Sequence, residues 1–192
     1  LLVVGGILAT VLTLTGEDPS VEPTGGVPQA QVEVDLCVHT AASHELRVED
    51  FAGHPVELES GVRIVQLDGG GPCKIGPIPV GYAPSPEGAL LAAANYITLI
   101  SVQGDGMSEV IETLTVPGPD TDAMLAELKD SPLPLAEQFQ VQGFKIYELN
   151  THEYRVTLAV KGPGVAQPVS WTLSMSWDGT DWKAAPADPV TG

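Results

Sequence analysis

Basic residues are scarce in this chain. Eight lysines and arginines stand against 25 aspartates and glutamates in 192 residues, a formal net charge of −17. Such a surplus repels phosphate backbones and anionic headgroups wherever salt does not screen it, so nucleic acid is excluded as a natural partner. The charge serves solvation first, and it leaves a basic partner surface open. Cysteine is nearly absent, with only Cys37 and Cys73, and a thiolate metal site would need more ligands. Catalytic signatures are also missing. No Gly-x-Ser-x-Gly elbow occurs, and Gly69-Gly70-Gly71 lacks the Lys-Ser/Thr continuation of a phosphate loop, so those glycines are expected to form a hinge. The four histidines, His39, His44, His54 and His152, lack the i, i+4 spacing of a helical zinc pair and are expected in loops. No metal, cofactor or catalytic residue is expected.

One segment lacks charge altogether. Leu1 to Gly16 carries apolar residues on every side of a helix, which suits lipid. Sixteen residues are fewer than the roughly 20 that span a bilayer. The chain opens without methionine, and the expectation is that the span's first turn lies upstream. No Ala-x-Ala cleavage signal and no lipid-accepting cysteine stand near Gly16, which favours an uncleaved anchor. Basic residues expected upstream of Leu1 would stay in the cytoplasm and send everything after Gly16 outward. Gly5 and Ala9, four apart, would let two such helices approach, so a homo-oligomer is left open.

Behind the anchor, residues 17–31 hold three prolines and two glycines without apolar periodicity, a tether. Residues 32–71 read as a β-rich extension: Val32, Val34, Leu36 and Val38 alternate with polar positions, and Leu58 and Val62 to Leu67 suggest one or two further strands after a break at Gly53-His54-Pro55. An even cysteine count in an exported region reads as one disulfide, Cys37 to Cys73. Closing a loop of that size would stabilise the fold by about 3 to 4 kcal/mol.

Residues 72–186 form the main domain. Ser85-Pro86-Glu87 opens a helix running to about Gln103, with a capping oxygen, a proline in the first turn and a carboxylate at the positive dipole end. Ala89, Ala92, Ala93, Tyr96, Ile97 and Ile100 share its apolar face. Further helices are expected at Met107 to Val116 and at Thr121 to Asp130, the latter capped by Asp120 or Thr121. From Phe139 onward alternation takes over, in at least three strands, and Asp178-Gly179-Thr180-Asp181 should fold Ser170 to Trp177 back onto a short strand at Trp182 to Ala184. Residues 187–192 are a loose tail. Helices followed by an antiparallel sheet make an α+β unit.

The order of elements resembles the NTF2-like cone fold. The stretch Gly76-Pro77-Ile78-Pro79-Val80-Gly81-Tyr82, then Pro86-Glu87-Gly88-Ala89 to Ala94-Asn95, with the closing Trp177 and Asp181-Trp182, resembles uncharacterised actinobacterial membrane-anchored domains. The resemblance covers residues 72 to 186 and implies an assembly module beside conjugation or secretion machinery, with other envelope proteins as partners. A cone can also enclose a pocket, which Glu148, Asp122 or His152 would line in a ligand binder or enzyme. Trp171, Trp177, Trp182 and Tyr147 are candidates for an aromatic surface that meets peptide or glycan, against the plainer role of filling the core and rim of the sheet. Peptide mapping of unreduced protein from its native compartment should recover Cys37 and Cys73 in one cross-linked species; two free thiols there would remove both the bond and the extracytoplasmic placement.

Overall fold

Ser85 starts the structural core. In a computed structural model that describes Cys37, residues 53–131 and residues 136–185, its hydroxyl accepts the Gly88 amide at 3.2 Å and opens helix α1, Pro86–Val102. All described residues belong to one compact unit, Leu36–Gly192. The expected anchor, the tether, the first strand apart from Cys37, His39, His44 and the tail lie outside the described residues. Among the described residues no helix is long and apolar enough to cross a membrane.

α1 differs from a surface helix with one apolar stripe. Fourteen of its 17 residues are buried, because the sheet, helix α2 and a β-hairpin all pack around it. Its alanines let those elements approach closely, while Leu90, Leu91 and Ile97 supply volume. Gln103 and Gly104, both at positive φ, end it. Helix α2, Met107–Leu114, buries Val110, Ile111 and Leu114. Helix α3, Pro119–Asp130, begins earlier than its sequence suggests: Gly118 is the cap residue, Pro119 takes the first helical position, and Asp120 and Thr121 fall inside the first turn. The Thr121 hydroxyl instead donates to the Val116 carbonyl at 2.7 Å. Thr121 is the one residue of α3 that is buried, and the helix packs on α2.

The hairpin before α1 joins β1, His54–Glu57, to β2, Arg63–Gln66. His54 and Pro55, expected as a break, are strand residues. Pro55 sits opposite Val65, whose N–H and C=O both turn away to the Asn95 side chain, so the proline's missing N–H leaves no ladder bond unmade. Gly69 to Gly71 are not a hinge: Gly70 and Gly71 donate to the Leu67 carbonyl, and Gly70 and Gly71 are buried in the resulting turn.

After the helices, β3 (Gln140–Asn150), β4 (Glu153–Lys161), β5 (Val169–Trp177) and β6 (Trp182–Ala185) form an antiparallel meander in chain order. Two apparent strands near Gly143 are one, bulged between Val141 and Gly143, so Val141 and Phe144 are both drawn toward the core despite their odd spacing. The inward set of β4 to β6, Tyr154, Val156, Leu158, Val160, Leu173, Met175, Trp182 and Ala184, is buried and forms one hydrophobic cluster with α1. Asp178 builds the last turn by accepting the amides of Thr180 and Asp181, each at 2.8 Å. Its partial burial is outweighed by the Thr180 hydroxyl, those amides and Lys183, which hold its carboxyl below the usual range. The outer edge of β6 is occupied by Thr115 and Val116, whose amide donates to the Ala184 carbonyl at 2.9 Å.

Leu158, fully buried against this cluster, is a sensitive probe of the sheet and helix contact. Leu158→Ala should cost about 2 to 5 kcal/mol in urea unfolding, whereas Thr157→Ala, on the opposite face, should cost about 1 kcal/mol or less; equal losses would show that the two faces are not differently packed.

Candidate functional site

The residues singled out by sequence separate into a buried polar clasp and a set of exposed surfaces. At the clasp, Cys37 and Cys73 are joined by a disulfide, their Cα atoms 5.9 Å apart across 36 positions. The sulfurs lie against Gly81, where a side-chain carbon would collide with both, and where φ is +81°. Only glycine satisfies this close approach and this backbone conformation together.

Gly81 and Tyr82 donate their amides to the two carboxylate oxygens of Asp181, at 2.8 and 3.1 Å, and the Trp182 amide donates to the same carboxylate at 2.9 Å. The Trp182 indole N–H donates to the Ala83 carbonyl at 2.6 Å. A segment of three residues is thereby locked to the turn between β5 and β6, about a hundred positions later. Burial pushes the Asp181 carboxyl above the ordinary 3.8, and the three amides and Lys183 offset part of that rise. Burial likewise raises the Tyr82 phenol, with the Asn95 hydrogen bond opposing it and the Asp181 charge adding to it.

Asn95, buried in the middle of α1, completes the clasp. Its oxygen accepts the Val65 amide at 2.9 Å, and its nitrogen donates to the Val65 carbonyl at 2.8 Å and to the Tyr82 hydroxyl at 3.0 Å. Gln138 repeats the device two residues along β2, accepting from the Arg63 amide at 2.9 Å and donating to its carbonyl at 2.6 Å. Two side-chain amides therefore stand in for a neighbouring strand. The sequence marks Asn95 only within a resemblance and Asp181 only there and as a turn residue, and it gives no sign of Gln138, because a bidentate amide has no local signature.

The four candidate aromatics do not share one surface. Trp182 is 1% exposed and packs edge-on to Trp177 and Tyr154, with ring centroids 5.3 and 5.4 Å away. Trp171 lies at the open end of the inner face beside Phe139, at 5.9 Å. Tyr147, 56% exposed, is on the outer face opposite Arg155. The expected pocket residues are scattered as well: Asp122 is exposed on α3, His152 is exposed in the turn between β3 and β4, and Glu148 is exposed on β3 opposite Tyr154. His54 is exposed on β1. Among the described residues no three His, Cys, Asp or Glu side chains are grouped to hold a metal ion. One oxygen of Glu87, in the first turn of α1, is buried without a hydrogen-bond partner. An apolar cleft of about 270 Å³ lies between α2 and α3, lined by Met107, Ile111, Met124, Glu127, Leu128 and Ser131.

The molecule is thus an α+β domain whose meander sheet is covered by helix on one face and whose hairpin and loops are bound by buried polar side chains. Residues 18–192 match one family model throughout, and the chain belongs to that family, a domain of unknown function designated DUF8175. No curated protein and no solved structure matches it.

Removing the carboxylate by Asp181→Ala strands three buried amides and should destabilise the fold by about 3 kcal/mol or more. Because burial raises this carboxyl in the folded state, its contribution is fully present below the unfolded value and is lost as pH rises through the folded one. Wild-type stability measured relative to Asp181→Asn should accordingly decline as pH is raised from 3.8 through that folded value; an increase across the window would mean that the amides outweigh burial.

Proposed function

We propose that this chain is a membrane-anchored, extracytoplasmic interaction module that helps assemble an envelope complex, of the kind that serves conjugation or secretion, built on an NTF2-like cone. The observation that carries it is the Cys37–Cys73 disulfide, with Cys73 at the surface, since such a bond persists in oxidising compartments. The uncharged run Leu1 to Gly16 supplies the membrane contact, and residues 17–31 the tether. The space between α1 and the sheet is filled by Leu90, Ile97, Leu158, Met175 and Trp182, which favours surfaces over an internal ligand chamber. The clasp gives such a module rigidity without chemistry: its carboxylate is spent on backbone amides.

A second reading, a small-ligand binder or enzyme, draws on the apolar cleft between α2 and α3. An apolar ligand would enter between Met107 and Met124, whose unbranched thioethers adapt to irregular shapes.

Cross-linking in cells followed by purification in mild detergent separates the two. The interaction module should bring down other envelope proteins from the membrane fraction. A solitary, uncross-linked species, or protein recovered from the cytoplasm with both thiols free, would refute it.

A further inference from the structure

The two faces of the meander sheet differ in kind. Outward positions on β3 to β6 alternate with the buried ones and carry Lys145 and Tyr147, then Arg155, Thr157 and Lys161, then Ser170, Thr172 and Ser174, then Lys183. Four of the chain's eight basic residues are therefore on one face, with Glu153 as the one acidic residue among the outward positions. Lys183 is engaged within the fold, donating to the Thr113 carbonyl at 2.6 Å and lying 3.7 Å from the Asp178 carboxylate. Lys145, Arg155 and Lys161 are exposed, and none forms an ion pair among the described residues.

Register brings two of these cations together, with Lys161 six residues beyond Arg155 along β4. Lys145 is opposite Thr157 and Tyr147 is opposite Arg155, so Lys145 and Arg155 are diagonal neighbours. Thr157 meets Thr172 through their hydroxyls at 2.9 Å, and Arg155 is opposite Ser174. Adjacent like charges weaken a sheet slightly, so the fold gains nothing from them. Solubility does not need them either, given a net charge of −17.

We propose that this face docks an acidic polypeptide surface of a partner protein, with Tyr147, Arg155 and Lys145 in adjacent rows and Lys161 as a further cation along β4. The setting rests on the interaction-module reading above; the surface itself does not depend on the membrane anchor. Charge complementarity selects the occupant. A second copy pairing through this face would set the same cations against one another across a two-fold axis. A phosphate polymer is attracted by a continuous cationic track, whereas these cations are interleaved with an aromatic ring, Leu149, Ala159 and hydroxyl groups. Tyrosine and arginine are the residue types enriched at protein interfaces and among their hot spots. At physiological salt the screening length is about 8 Å, so the acids elsewhere on the chain are damped while contact pairs on this face act fully.

The test uses the full chain in nonionic detergent, isotope-labelled, titrated with poly-L-glutamate and, in separate arms, with polyphosphate and with vesicles containing phosphatidylglycerol. Polyglutamate should shift the amides of Lys145, Tyr147, Arg155, Thr157 and Thr172, and K145Q/R155Q/K161Q should weaken its binding about tenfold or more, which is about 1.4 kcal/mol. The triple variant should melt as wild type does, and Y147A is a second, uncharged probe that should also weaken binding. Shifts located elsewhere, tighter binding of polyphosphate or vesicles than of polyglutamate, or concentration-dependent self-association abolished by the triple variant would each overturn the proposal. So would envelope partners cross-linking undiminished to the triple variant, an outcome that leaves the module reading intact.

Discussion

The fold depends on a buried amide. Asn95 lies at the centre of a helix that is enclosed on nearly all sides, where an unpaired polar group is costly, yet both its oxygen and its nitrogen are satisfied. What satisfies them is the backbone of β2 and the hydroxyl of Tyr82. The hairpin gains in return: a two-stranded ribbon is marginal by itself, and its inner edge would otherwise lose water without gaining a partner. Gln138 meets the same need at Arg63. A helix interior, an isolated hairpin and the entry to the sheet are thereby held to one register by two side chains.

From Tyr82 the same logic continues to Asp181. The loop before α1 contains prolines and glycines that form little regular structure, and its amides would be free to wander. The carboxylate gathers two of them, the indole of Trp182 takes the Ala83 carbonyl, and the disulfide rests on Gly81. Hydrophobic burial between α1 and the sheet supplies most of the stabilisation, since that is where the large apolar area is. The polar clasp contributes specificity, because each bond names one partner at one position.

Charge has a comparable division of labour. The acidic surplus keeps the domain dispersed, and the sheet's outer face departs from it by collecting half of the chain's basic residues. Alternation along a strand makes this possible: the same nine residues of β4 supply Val156 and Leu158 to the core and Arg155 and Thr157 to the surface. A face that costs the fold little to decorate is where recognition can be placed.

Local chemistry was legible in the residues themselves. Ser85-Pro86-Glu87 capped its helix, Asp178 to Asp181 turned the last hairpin, alternation from Tyr154 to Trp177 built the central strands, and two cysteines paired, because each depends on neighbours within a few positions or on a simple count. Long-range choices were not legible. Gly118 displaced Asp120 and Thr121 as a cap once Pro119 fixed the first turn, Pro55 became a strand residue because Asn95 took the bonds of its partner, and Trp182 was buried while Tyr147 was exposed although both occupy apolar positions in strands. The sequence by itself determined the order of helical and strand regions and how charge is apportioned. Tertiary structure alone decided which faces are covered and which polar side chains close the clasp, since those depend on contacts between residues 30 to 100 positions apart.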